Sequence, residues 1–354
     1  MARFGIGLIL TSAAVVAVAA VVALYGGIWF TGRPAASPLP LAPGGPAILP
    51  DERIWIDTDA ACGAGPRIDP DDCIAIVWLV SRGADIVGIS TSFGNAGGDV
   101  VVKTVRKLGA AMALQGLASP PVFTGHSAPV LADETANPAG VLAIQAALQH
   151  GPLTILALGP LTNVTAALQG RPDLQSHVTR LVAVMGHQPG HVFHPTEGRG
   201  NGATLGHGPI FSDLNLSVDP GAAQAILAMD LPITLIPYDA ATKIMITAAD
   251  LDVLAAYGPA MAEVSQTARS WLTFWQDDVG LAGFYPFDWV AAAYLVHPQM
   301  FGCAASTARV AREWTFWLVP HQSLLVGEKG QSGAAVTYCP QTAVLLHDVL
   351  LTQP

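Results

Sequence analysis

Through residues 53–238 the sequence alternates short apolar runs rich in β-branched residues with longer runs whose apolar residues recur at helical spacing. That alternation restricts the fold to helices packed on a mainly parallel sheet. The strand candidates are "RIWID", "DIVGIST", "PVFTG", "LTILAL", "TRLVAVMG" and "LPITLIPY". Between them, "DDCIAIVWLVSRG", "GDVVVKTVRKLGAAMAL", "AGVLAIQAALQ", "LTNVTAALQ" and "DPGAAQAILAM" have helical spacing. The expected class is therefore α/β, a doubly wound, mainly parallel sheet with helices on both faces. Beyond residue 245 the pattern turns to helices, followed by β-like "ARVAREWTFWLVP" and "AAVTYCP".

Ahead of this body, residues 4–32 carry no charge and exceed the roughly 20 residues that cross a bilayer as a helix. A cleavable signal peptide has an apolar region of only about 7 to 15 residues, so a retained anchor over residues 1–33 is expected. Arg3 and Arg33 flank it evenly, and the short N-terminus is placed in the cytoplasm, with the bulk of the chain outside. Residues 34–50, "PAASPLPLAPGGPAILP", read as a Pro-rich linker and residues 51–354 as the globular domain.

Net charge is −10, and an acidic body without a basic stripe argues against nucleic acid as a partner. Four cysteines, Cys62, Cys73, Cys303 and Cys339, match no zinc spacing. Pairing of Cys62 with Cys73 and Cys303 with Cys339, or four buried thiols, both fit the sequence. The oligomeric state, a homo-oligomer included, is left open.

Only 12% of residues are charged, yet Asp57, Asp59, Asp69, Asp71 and Asp72 fall in one stretch, "IWIDTDAACGAGPRIDPDDC". Ligands of parallel α/β sheets bind beyond the carboxyl ends of strands, where Asp57 and Asp59 are expected. Asp71 and Asp72 open the next helix, whose dipole favours one or two acids. Five acids so close together call for a cation, and an all-oxygen set suits Ca²⁺ or Mg²⁺. The alternative is a solvated loop that caps a helix.

The pattern of strand, Asp-x-Asp, Gly-containing turn and helix-opening Asp-Asp resembles the calcium-dependent nucleoside hydrolases of the inosine-uridine type. Here "IDTD" and "DPDDCIAI" carry it, with eleven residues between Asp59 and Asp71 where the family has a few. "GISTSFGNAGGD", "LTILALGPLTNVTAAL", "VMGHQ", "FSDLNLSVDPGAAQAIL" and "FYPFDWVAAAYLVHP" resemble later family segments in order, over residues 53–298. The resemblance implies Ca²⁺ held by Asp59, Asp72, Asp288 and the Leu158 carbonyl, with Asp59 as the catalytic base. It further implies ribose contacts from Asp71, Asn95, Asp213, Asn215 and, in the long loop, Asn201, with Met185 under the sugar. The long acidic loop is then one metal site, pinned if Cys62 and Cys73 pair.

The implied activity is hydrolysis of a ribonucleoside to base and ribose. Phe287 stands where many members carry a His that protonates the leaving base; a phenyl ring donates no proton but can stack on a base. Asp213 replaces a Glu, and the family's His-Gly motif is absent from "SAPVLADETANPAG". His187, His191, His194 and His207 are candidates to supply the missing acid. Two other readings compete: a tethered calcium- and ribose-binding protein without catalysis, and a haloacid dehalogenase-type phosphatase. Ala61 disfavours the latter, because that family has Thr or Val there.

Overall fold

Five consecutive buried residues, Ile54–Thr58, form the strand around which the sheet is built. Residues 39–49, 51–130, 137–189, 213–315, 319–327 and 333–352 are described by the structure, a computed structural model. The expected membrane helix, Asn201, His191, His194 and His207 lie outside them. Among the described residues, no helix is long and apolar enough to cross a membrane.

Among the described residues, ten strands form one mixed sheet: β1 (Ala42–Pro43), β2 (Ile54–Thr58), β3 (Ile86–Thr91), β4 (Val122–Thr124), β5 (Leu153–Ala157), β6 (Val178–Ala183), β7 (Ile233–Leu235), β8 (Phe301–Thr315), β9 (Val319–Val326) and β10 (Ala334–Thr342). Their order is β1-β8-β10-β7-β6-β5-β2-β3-β4, with β9 also paired to β8. The run from β10 to β4 is parallel, and β8 turns the sheet antiparallel. Successive strands run outward from β2 through β3 to β4, and then restart on its other side at β5. That reversal opens a crevice beyond the carboxyl ends of β2 and β5.

Alternation along the strands feeds two cores. Ile54 and Ile56 point into one, and Trp55 into the other. The first core takes helices Asp71–Ser81, Gly98–Leu114, Pro259–Phe274 and Phe287–Val296; the second takes Ala139–Gln149, Thr162–Leu168 and Pro220–Leu227. Every residue from Asp71 to Val80 is buried, because that helix lies between the sheet and other helices. Trp78 meets Trp289 edge to face at 5.5 Å, which locks Asp71–Ser81 against Phe287–Val296. Both helices therefore present acidic first turns side by side.

Two stretches differ from the sequence expectations. Part of the Pro-rich stretch is docked: Ala42 and Pro43 pair antiparallel with Cys303 and Gly302. The β-like run at residues 308–320 contains the end of β8 and the start of β9, paired antiparallel from Ala308–Val326 to Thr315–Val319. Both potential disulfides are formed, Cys62 to Cys73 and Cys303 to Cys339.

Candidate active site

The site grows from the end of β2. Asp57, the fourth residue of the strand, is fully buried beneath it. Its Oδ1 accepts from Ser90 Oγ and from Asn163 Nδ2 (2.9 Å), while Trp55 Nε1 donates to Ser90 Oγ (2.9 Å). Asn163 also donates to the Thr91 carbonyl (3.0 Å) and accepts from the His126 backbone N–H (2.8 Å). One buried amide thus ties the ends of β2, β3 and β4 together. Burial nevertheless pushes the Asp57 carboxyl up to about 7.

Asp59 lies just past the strand and is buried. Its Oδ2 accepts from the Asn95 backbone N–H (2.8 Å). The Asn95 amide reaches both Asp59 Oδ1 (3.4 Å) and Asp72 Oδ2 (3.2 Å), spanning the two arms of the acidic loop. This approach needs Gly94: a Cβ there would lie 1.9 Å from Asp59 Oδ2, and its φ of +150° is itself one that side-chain-bearing residues avoid.

Asp71, Asp72 and Asp288 are buried, with carboxylate oxygens within 4.8 Å of one another. Asp71 Oδ2 accepts from the Asp288 backbone N–H (2.9 Å), and Asp72 Oδ1 accepts from Thr58 Oγ1. Burial is the main cause that raises all of these groups. It pushes Asp72 up to about 7, helped by the Asp71 charge, and holds Asp59 and Asp288 well above the usual carboxylate range, helped by their acidic neighbours. Asp71 and the half-buried Asp69 are raised for the same reason. Thr58, Asn95 and backbone N–H groups donate to Asp59, Asp71 and Asp72. Buried oxygens that repel one another, with neither sulfur nor imidazole among them, fit a hard divalent cation.

Across the crevice, the Leu158 carbonyl at the end of β5 accepts from Asn215 Nδ2 (2.7 Å), which also reaches the Val184 carbonyl (3.0 Å). Two of the expected contacts are thus neighbours. Asp213 accepts from Gly186 N–H (2.7 Å) and, as N-cap of Leu214–Val218, from Leu216 N–H (3.0 Å), and burial raises its carboxyl. Met185 is buried in the second core with Leu181 and Leu216. Phe287 is half-buried, stacks on Tyr238 at 5.4 Å and meets Tyr285 edge-on at 6.2 Å. His187 Nε2 is 3.5 Å from Glu313 Oε2, and its ring is near enough to Asp213 to favour that carboxylate's charge.

Ser90, Thr58 and Asn163 escaped the sequence reading. Asn163 offered one clue, an amide set between apolar Leu161 and Val164 in a helix that must bury that face.

A model of the inosine-uridine preferring nucleoside hydrolase family matches residues 54–316. The pyrimidine-specific ribonucleoside hydrolase RihA of Citrobacter koseri is 27% identical over 259 residues, 65% of this chain and 77% of that protein. Its Escherichia coli counterpart is 26% identical over 259 residues, covering 65% and 78%. Among solved structures, a plant nucleoside hydrolase aligns with a TM-score of 0.67 at 18% identity, over 85% of this chain and 97% of that one. A purine-preferring ribonucleoside hydrolase from Gardnerella vaginalis aligns with 0.66 at 17%, over 85% and 96%.

Proposed function

Because the chain belongs to the inosine-uridine preferring nucleoside hydrolase family, and so is a hydrolase of N-glycosyl bonds, we propose that it splits a ribonucleoside into base and ribose at the carboxylate cluster, with Ca²⁺ as cofactor. The observation that carries this reading is the convergence of Asp71, Asp72 and Asp288 beside Asp59 at the β2–β5 crevice.

Asp59, Asp72, Asp288 and the Leu158 carbonyl would hold the ion. When bound, calcium supplies the charge that grips a ribose diol and lowers the pKa of a water. Asp59 takes the proton of the attacking water. Asn95 orients Asp59 from two directions. The buried anions favour the positive charge that develops on the sugar as the bond to the base breaks. Asp71, Asn95, Asp213 and Asn215 bind the ribose hydroxyls, and Met185 supports the ring. Asp213 has a spare lone pair on each oxygen for this role, since each accepts one N–H. Phe287, with Tyr238 behind it, gives the base a flat face. The proton for the departing base comes from a group other than residue 287.

The test measures free ribose released from purine and pyrimidine nucleosides by the detergent-solubilised full chain. Release that a chelator abolishes and calcium restores is the expected result. Undiminished release after chelation would overturn the cofactor, and release from no nucleoside would overturn the substrate class. Residues 4–32 are proposed as a membrane anchor that leaves the catalytic body outside the cytoplasm, on the strength of their length and lack of charge. The full chain is then expected in membranes after alkaline carbonate extraction; recovery in the supernatant would count against an anchor.

A further inference from the structure

The two arms of the acidic loop are joined covalently, next to the carboxylates themselves. Cys62 follows Asp59 by three residues and Cys73 follows Asp72 directly, and their sulfurs are bonded across a Cα–Cα distance of 6.4 Å. The enclosed loop is also fastened from outside. Gly63, at φ +76°, sits so close to helix Pro259–Phe274 that a Cβ would lie 2.7 Å from Thr267 Cγ2. Arg67, at φ +62°, pairs with Asp278 (2.8 Å) and lies 5.3 Å over the Phe274 ring. It is the one non-glycine residue with positive φ among those described. These clamps hold the loop against the segment that leads on to Phe287 and Asp288.

The clamps oppose a definite force. The carboxylate oxygens of Asp71, Asp72 and Asp288 lie within 4.8 Å of one another, and the Asn95 amide bridges Asp59 to Asp72, so in the absence of a cation like charges on the two arms repel. A cross-link over this short loop removes the spread conformations that the repulsion would otherwise populate.

The bond is also within reach. Cys62 is half-buried and lines a surface cavity of about 180 Å³ with Gly63, Ala64, Lys103, Lys107 and Thr267. Lys103 and Lys107 are exposed, and Lys107 pairs with Glu263 across the cavity. The other disulfide, between adjacent strands β8 and β10, has both cysteines buried.

We propose that the Cys62–Cys73 bond is a reducible switch on the cation site, opened by a small anionic thiol that enters through this lysine-flanked cavity. The thiolate attacks Cys62 Sγ, the S–S bond breaks, and Cys73 Sγ leaves with the electron pair and takes up a proton. A second thiol then attacks the mixed disulfide, releasing Cys62 as a thiol and the reductant as its own disulfide. The oxidised loop holds the Asp59 and Asp72 arms together where the Asn95 amide bridges them, and the reduced loop does not. The inference rests on the calcium reading above.

Calorimetric calcium titration of the full chain, oxidised and after reduction with glutathione, tests it, with alkylation and mass spectrometry reporting which cysteines opened. Reduction is expected to raise the calcium Kd by about tenfold or more. The Cys62→Ala/Cys73→Ala variant should do the same, with kcat recovering to within about twofold at saturating calcium. Cys303→Ala/Cys339→Ala should lower Tm and leave the calcium Kd in place, which separates positioning from plain stabilisation. Equal Kd values for the oxidised and reduced chains would overturn the switch. A folded, oxidised chain that binds no calcium would instead overturn the cofactor reading. Should the first double variant not fold, the reduced native chain decides.

Discussion

Replacing Asp59 by Asn is expected to lower kcat/KM by about 10³-fold or more, and to do so mainly through kcat. Asn keeps the shape of the side chain and can still accept from the Asn95 backbone N–H with its carbonyl oxygen. It cannot take a proton from water, and it withdraws one negative charge from the set that would face the cation. Steady-state kinetics at saturating calcium isolates the first loss, and a calcium titration of the same variant measures the second. Asp213→Asn makes the informative comparison, because that side chain's present partners are backbone donors that an amide oxygen can also satisfy. Its effect should fall chiefly on KM. Activity within about tenfold of the parent for Asp59→Asn would remove it from the role of base.

Stability of the calcium-free protein should fall as pH rises from about 4 to about 7. Asp57 and Asp72 ionise near 3.8 when the chain is unfolded and near 7 when it is folded. Below this window both states hold the protons, and no difference arises. Within it the folded state binds more protons than the unfolded one, so each pH step favours unfolding; above it the full cost is reached. For Asp57 alone the span corresponds to roughly 4 kcal/mol. Calcium should flatten the part of the slope that comes from Asp72 and its neighbours, leaving the part from Asp57, which bonds to Ser90 and Asn163 away from the trio. Denaturant melts across pH, with chelator and with calcium, read this directly. A calcium-free chain whose stability rises with pH through that interval would contradict the assignment of these carboxyls as burdened by burial.

Much of the fold was legible because burial dictates pattern. Helices Gly98–Leu114 and Ala139–Gln149 have the bounds that their apolar spacing indicated. The parallel strands read as continuous apolar runs since both of their faces are covered. The β8–β9 reversal was invisible for a local reason: the residues between the strands, Phe316, Trp317 and Leu318, include no Gly, Pro, Asn or Asp to announce a turn. Strand β1 hid because Pro-rich sequence signals extended chain, and extended chain suits a linker or an edge strand equally well. Within the site, the acids could be found because charge is conspicuous in an apolar context. Ser90 and Thr58 could not, because small polar groups become informative only once a buried carboxylate is seen to need them.

The short pairing of β1 with β8 has a mechanical meaning. Any pull on the chain upstream of residue 39 would enter the fold at Ala42–Pro43, whose ladder covers two residues, with further backbone bonds from Gly44 to Phe301 and Ile48 to Leu295. These bonds sit at the sheet margin and load one after another, like a zipper. The segment can peel from the sheet margin and lengthen before tension arrives at Ile54. From there the load meets β2, held by parallel neighbours on both sides and leading at its far end to buried Asp57 and Asp59. The margin strand would act as a slack coupling that isolates the crevice from the motion of whatever holds the N-terminus.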